Sequence, residues 1–278
     1  MSWGLVGDEF EDVSSVFEDP PEDFVVCSVV LTVSEGKRLI AKGVATDARV
    51  FLAMEEGTVA VCKGTTNAYV LEELLGRDIE KGKYVLGNTV PATSPNAGDA
   101  FQGSIPEVVF HKGEPVEGLS VADAVKDMGP GDVVIKGANA LDYPNQMAGL
   151  LIGHPAGGTL GSVLGSTYGK GLHLIIPVGL EKQVATPLKV SSAVAPALLA
   201  EHGVPRLWPF TGGIFTEIEA IQTLAEVIAM QIGAGGVCGA EGAIWLLIAG
   251  MENDVTEAKE LIEQIQGEPS FWDAVMGQ

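Results

Sequence analysis

Four short stretches carry residue types that could do chemistry. The first is Gly64-Thr65-Thr66-Asn67, set between a β-branched run and a helical one. Glycine lets a ligand come close to the backbone, two hydroxyls can donate, and the positive end of a helix favours an anion. The same residues would also serve as a plain helix N-cap. The second stretch is Lys136-Gly137-Ala138-Asn139-Ala140-Leu141-Asp142, directly after the apolar run 132–135. Lys136 could meet a phosphate or polarise a carbonyl, Gly137 and Asn139 could help to bind the anion, and Asp142 could be a general base. The third, Gly179-Leu180-Glu181-Lys182, sets an acid and a base at another strand end, where a solvated charge pair is an equal reading. The fourth, Cys238-Gly239-Ala240-Glu241-Gly242, offers Glu241 as an alternative nucleophile, although a glycine-rich turn accounts for it more simply. His154 stands beside Pro155, Gly157 and Gly158 and is a pocket candidate.

Composition limits what these residues could serve. The 278-residue chain is 46% apolar and carries 36 glycines, which suits a folded α/β protein with many tight turns. Its net charge of -21 argues against nucleic acid and anionic membranes as partners, because phosphate contacts need clustered Lys and Arg. A small anion is compatible with that charge, since backbone amides and a few local cations act at close range. Cys27, Cys62 and Cys238 lie too far apart for a CxxC pattern, so neither a disulfide framework nor structural zinc is expected. His154 and His173 lack metal-ligand spacing, and Walker, dinucleotide and nucleophile-elbow patterns are absent. The acidic start and short apolar runs lead us to expect a cytoplasmic protein without a membrane span.

The chemistry-bearing stretches need elements to hold them. Residues 1–23 read as an acidic arm, with Phe10, Val13, Val16 and Phe17 as anchors onto the body or a second subunit. Strands are expected at 24–33, 49–54, 58–63, 107–111, 132–135, 173–178 and 243–249. Helices are expected at 34–41, 68–75, 120–127, 216–232 and 255–265, with Gly76 as a stop and Ser120 as an N-cap. Residues 87–118 read mostly as loop, and the glycines from Gly153 to Gly165 as a turn and a small-faced helix. Alternation of strands and helices through the middle predicts a mostly parallel, Rossmann-like sheet with helices on both faces. The domain plan is an arm (1–23), a Rossmann-like α/β domain (24–204) and a small α+β unit (205–278), the last ferredoxin-like in its order. Ligands of parallel sheets bind beyond the carboxyl ends of strands, which singles out the loops after Lys63, Ile135 and Val178.

The order of these segments resembles the superfamily that groups ribose-phosphate isomerases, glucosamine-phosphate deaminases, related sugar-phosphate isomerases and CoA transferases. Gly64-Thr65-Thr66-Asn67 looks like that family's phosphate loop. The stretch 132–142 looks like its strand ending in a Gly-Ala-Asp turn, and 173–184 like its later strand ending in Glu-Lys. The likeness spans about residues 50 to 200. It implies an enzyme acting on a small phosphorylated carbonyl metabolite through an enediolate. In that reading Gly64, Thr65, Thr66 and Asn67 hold the anion, Asp142 transfers the proton, and Lys136 or Lys182 steadies the enolate oxygen. His154-Pro155-Ala156-Gly157-Gly158 corresponds to the family's lysine-plus-glycines loop, without the lysine. Lys136 and Asn139 stand where the isomerases carry acids, and Asp142 alone keeps that pattern. Two alternatives follow: a CoA transferase or acyl-CoA-binding enzyme with Glu241 as nucleophile, or a non-catalytic ligand-binding protein. No cofactor is expected beyond CoA in the transferase reading. A homo-oligomer is expected from the apolar tail and the arm.

Overall fold

The computed structural model describes residues 16–87, 89–90 and 103–276. Most of the acidic arm and the centre of the 87–118 loop therefore lie outside the described residues. The protein is a mixed α/β structure built on a six-stranded, partly parallel sheet with two small antiparallel sheets.

The main sheet holds β2 (Thr58–Val61), β3 (Val108–His111), β4 (Glu114–Pro115), β5 (Val133–Ile135), β8 (His173–Pro177) and β10 (Gly213–Phe215), in the order β10-β8-β5-β2-β3-β4. Strands β10, β8, β5 and β2 are parallel, whereas β3 and β4 add antiparallel edges. Val59, Val61, Val133, Val134, Ile135, Ile175 and Ile176 are fully buried, as expected for short parallel strands covered on both faces. The second sheet is β1 (Phe24–Leu31), β12 (Ile244–Met251) and β11 (Ile228–Ala234), in that order. The third is β6 (Ala140–Asp142), β7 (Met147–Ile152) and β9 (Arg206–Phe210).

Helices fill the connections: α1 (Val33–Thr46), α2 (Ala48–Glu56), α3 (Thr65–Leu75), α4 (Val121–Asp127), α5 (Gly158–Lys170), the short α6 (Leu188–Ser191) and α7 (Pro196–Glu201), then α8 (Glu217–Leu224), α9 (Glu252–Ile265) and α10 (Phe271–Met276). Helix α1 packs against α3 and α8, and α4 packs against α5. A capping box fixes the start of α1: Thr32 Oγ1 accepts from Glu35 N–H, and Glu35 Oε2 accepts from Thr32 N–H. Thr216 and Glu219 repeat the device at α8. Ser120 caps α4, and Gly76 closes α3 in the left-handed conformation.

Three expectations need correction. The run 49–54 is not a strand but part of α2, because the Asp47 carboxylate accepts from Arg49 N–H and caps a helix there. The helix expected over 216–232 ends at Leu224, and β11 takes over at Ile228 because it can pair with β12. The C-terminal stretch 205–278 does not form a sheet of its own. Its β9 joins β7, β10 joins β8, and β12 pairs with β1 over all eight residues.

The described end of the arm is tied down: Phe17 meets the Phe24 ring edge-on at 5.7 Å. All three cysteines are free, with Cys62 buried and Cys238 exposed. Among the described residues, no helix is long and apolar enough to cross a membrane.

Candidate functional site

Strands β2, β5, β8 and β10 end side by side, and hydrogen bonds stitch the segments that leave them. Cys62 N–H donates to Ile135 O (3.0 Å), Lys136 N–H to Ile175 O (3.0 Å) and Val178 N–H to Phe215 O (3.0 Å). The loops singled out from the sequence therefore share one rim, joined by the start of α8.

At the β2 end, Gly64 is extended and its N–H donates to Tyr84 O at 3.1 Å. No side chain caps α3. The N–H groups of Thr65, Thr66 and Asn67 precede the first intrahelical donor, Ala68, and have no protein acceptor among the described residues. The Thr66 hydroxyl is buried without a partner among the described residues. Asn67 has a different task from the one its position suggested. Its side chain is fully buried, and Nδ2 donates to Cys62 O (2.8 Å) and Ile135 O (3.3 Å). It thus satisfies the Cys62 carbonyl beyond the end of β2 and gives Ile135 O, which already accepts from Cys62 N–H, a second donor. Asn67 Oδ1 has no partner among the described residues and faces Gly137.

At the β5 end, Lys136 is buried and its Nζ reaches only Gly137 O, at 3.3 Å. Burial pulls its ammonium pKa down, and Lys182 adds to this, against the opposing influence of Cys62 and Glu107. No carboxylate pairs with it among the described residues. Lys182 Nζ donates to Ala138 O at 2.9 Å, which ties the third loop to the second.

The rest of the second stretch turns away into the small hairpin. Asn139 is exposed, and its Oδ1 accepts from Leu151 N–H (3.0 Å). Asp142 is buried on β6, where Oδ1 accepts from Asn145 Nδ2 (2.9 Å) and Oδ2 from Leu188 N–H (3.2 Å). Both oxygens are thus occupied in organising the hairpin and α6, which argues against Asp142 as the base. His154 is exposed, and its Nδ1 accepts from Ala156 N–H (3.1 Å). Gly157, in the left-handed region at φ 81°, has no room for a side chain against the Trp208 ring. Gly158 begins α5. Among the described residues, no hydrogen bond joins His154, Gly157 or Gly158 to the strand-end loops.

The ends of β8 and β10 bring together groups that the sequence reading joined only in part. Glu217, the first residue of α8, is buried, and its Oε2 accepts from Leu180 N–H at 2.9 Å. Burial raises its pKa strongly, and neighbouring Glu181 pushes it further. Glu217 Oε1 lies against Gly36 of α1, where an added Cβ would sit 2.5 Å away. The Glu181 carboxylate folds back over Gly179 and takes the space that a Cβ would occupy there. Two glycines thus make space for two acids.

Lys37, beside Gly36 on α1, enters the same cleft. It is buried, with its ammonium 5.6 Å from the Phe271 ring centre. Burial first, then Lys182, lowers its pKa to about 8 against the pull of Glu181 and Glu217. Neither Lys37 nor Glu217 was singled out from the sequence. The signals were a glycine-lysine pair inside a buried helical stretch and the Thr216–Glu219 capping box.

Next to this cluster, Tyr143 Oη donates to Glu219 Oε1 at 2.7 Å. A cavity of about 230 Å³ opens there, lined by Tyr143, Leu180, Gln183, Ile218 and Gln231 among others. Glu241 lies apart, exposed in the β11–β12 turn, where Oε2 accepts from Gly239 N–H at 2.8 Å. Its own N–H and that of Gly239 hold this carboxylate below its usual pKa. Among the described residues, no group of His, Cys, Asp and Glu is arranged to hold a metal ion.

The site is therefore a strand-end cleft with unfilled amides on one side and buried lysines and acids on the other. Comparison with protein-family models, curated proteins and solved structures finds no match to this chain.

Proposed function

We propose that the protein is an enzyme that binds a small anionic carbonyl metabolite at the carboxyl ends of the main-sheet strands and moves a proton on the carbon beside the carbonyl. A sugar phosphate is the substrate class that the resemblance favours, and isomerisation belongs to this reaction class. The observation that carries the reading is the pairing of open anion donors with unpaired buried cations. Among the described residues, the first-turn amides of α3 and the Thr66 hydroxyl lack protein partners, and Lys136 and Lys37 are buried without an ion pair, in a chain of 37 acids and 16 bases. An orphaned buried donor costs free energy unless something accepts from it, and an anion at α3 would do so.

Strand spacing sets the scale. From β2 to β8 is two strand intervals, about 10 Å, which a short carbon chain can span from its phosphate to its carbonyl. In this reading Gly64, Thr65, Thr66 and Lys136 hold the anion. Lys182 lies between the two ends of the substrate, Glu181 takes the proton, and Glu217 supplies one. Burial raises the Glu217 pKa, which suits a carboxyl that supplies a proton. Within the same proposal the sheet is the Rossmann-like platform and the protein acts without a cofactor.

The test has two parts. Inorganic phosphate and a panel of sugar phosphates should raise the melting temperature in proportion to the logarithm of ligand concentration, and Lys136→Met should abolish the shift. A ligand that binds should also exchange deuterium from solvent at the carbon beside its carbonyl, and Glu181→Gln should slow this by about 10²–10⁴-fold. Saturable binding without exchange would make the protein a binder, not an enzyme. An acyl adduct on Glu241 after incubation with acyl-CoA would favour the transferase reading instead.

A further inference from the structure

We propose that Lys37 is a covalent catalyst, whose amine condenses with the substrate carbonyl to form an imine. This rests on the reading of the cleft as a site for an anionic carbonyl compound, and adds the means by which the carbonyl is activated.

The three cleft lysines are not equivalent. Lys182 Nζ donates to Ala138 O, and Lys136 Nζ is turned to Gly137 O. Lys37 Nζ has no oxygen acceptor among the described residues and faces a ring. The charged groups around it are Lys182 and Glu181 from the turn after β8 and Glu217 from α8. A lysine is an amine nucleophile only when unprotonated, and burial beside a second cation favours that form. A proton donor is also at hand: Glu217 is buried, with Oε2 engaged by Leu180 N–H and Oε1 lying against Gly36, next to Lys37 in the chain.

The chemistry balances without any external reagent. The lone pair of Lys37 Nζ attacks the carbonyl carbon, and the ammonium proton passes to the former carbonyl oxygen to give a carbinolamine. Glu217 protonates the hydroxyl, water leaves, and a protonated C=N bond forms. Glu181 then removes a proton from the neighbouring carbon, and the electron pair moves into the C–N system as an enamine. Return of a proton and re-addition of water release the product. This route suits proton exchange, epimerisation or carbon–carbon cleavage. It does not suit aldose–ketose interchange, which would leave a stable amine on the lysine.

The experiment uses pyridoxal 5′-phosphate as the probe, because it joins an aldehyde to a phosphate. The full chain is incubated with it at pH 7.5, reduced with borohydride, digested and mapped by mass spectrometry. The expected result is reduction-trapped label on Lys37, at least about tenfold faster than on the exposed Lys83 and Lys126, and absent in Lys37→Arg. Label spread over exposed lysines, or confined to Lys136 or Lys182, would overturn the proposal. So would the absence of label. A thermal shift with inorganic phosphate, measured alongside, separates the two readings. Stabilisation by phosphate without label on Lys37 removes the imine and keeps the anion site. Label on Lys37 that phosphate does not slow keeps the imine and removes the anion site.

Discussion

Lys37 and Arg38 leave α1 side by side and enter two differently built surroundings. Arg38 is saturated: it bonds Glu72 (2.7 Å), Glu73 (2.8 Å) and Glu268 (3.0 Å). Lys81 joins Glu72 at 2.9 Å, Ile79 N–H donates to the same carboxylate, and the Tyr69 ring lies beneath both cations. Burial opposes the charge on Arg38, but the hydrogen bonds it donates to Glu268, Glu72 and Glu73 outweigh it and hold its pKa up. Lys37 has burial of the same order with no such bonds, and its pKa goes down. One helix thus carries a cation that binds α1 to α3 and to the chain end, and another that is left available. A saturated network fixes geometry, whereas an unsaturated one marks where something else must bind or react.

The difference can be tested by breaking each side. The largest effect is expected from Glu72→Gln, which leaves Arg38 and Lys81 buried with too little counter-charge. Breaking one partner of such a network costs about 3–5 kcal/mol. Urea unfolding would show it as a lower midpoint at constant slope, and a loss below about 1 kcal/mol would erase the distinction between the two clusters.

Next is Lys37→Met, read through pH. The native ammonium titrates at about 8 and the unfolded one near 10.5, so the unfolded chain binds more protons between those values. Stability attributable to Lys37 therefore rises as pH climbs through that window, by at most about 3 kcal/mol. Lys37→Met should flatten the climb and leave the protein at least as stable at pH 7. Glu217 works in the opposite sense: with its pKa raised, stability is lost as pH rises above the ordinary glutamate value of 4.5, and Glu217→Gln should remove that loss.

The smallest effect sharpens the contrast within the cleft. Alanine in a helix is ordinarily about 1 kcal/mol better than glycine. At Gly36 it would meet Glu217 Oε1 at 2.5 Å, so Gly36→Ala should instead destabilise by about 1–2 kcal/mol. Adding Glu217→Ala should recover that loss, and additive costs in the double variant would show that the two residues do not touch.

Much of the frame was legible because apolar runs are short and sharply bounded. The runs at 24–31, 58–61, 133–135 and 173–177 are strands for the reason the pattern suggests. The helix at 48–56 was not, because Arg49 to Met54 is as β-prone as it is helical and Asp47 decides the matter. Beyond Leu224, helical periodicity continues into residues that pair with β12 instead, a long-range choice that no local window contains. The strand-end loops could be found from topology alone. Lys37 could not, because a lysine on an amphipathic helix normally faces water, and its burial against the Phe271 ring of α10 is a contact with a segment more than two hundred residues away. Asn67 and Asp142 were legible as polar residues at strand ends, but not as residues already spent on backbone partners.

The pairing of Phe24–Leu31 with Ile244–Met251 bears on how the chain is made. A ribosome releases β1 more than two hundred residues before its partner, so β1 must wait, apolar and unpaired, while the residues between them are made. The anchors of α1 wait as well: Gly267 N–H donates to Glu35, and Glu268 pairs with Arg38. The helix that carries Lys37 is locked only when residues 267 and 268 have emerged. A product that stops short of residue 244 would leave β1 without its partner strand and α1 without its anchors at Gly267 and Glu268.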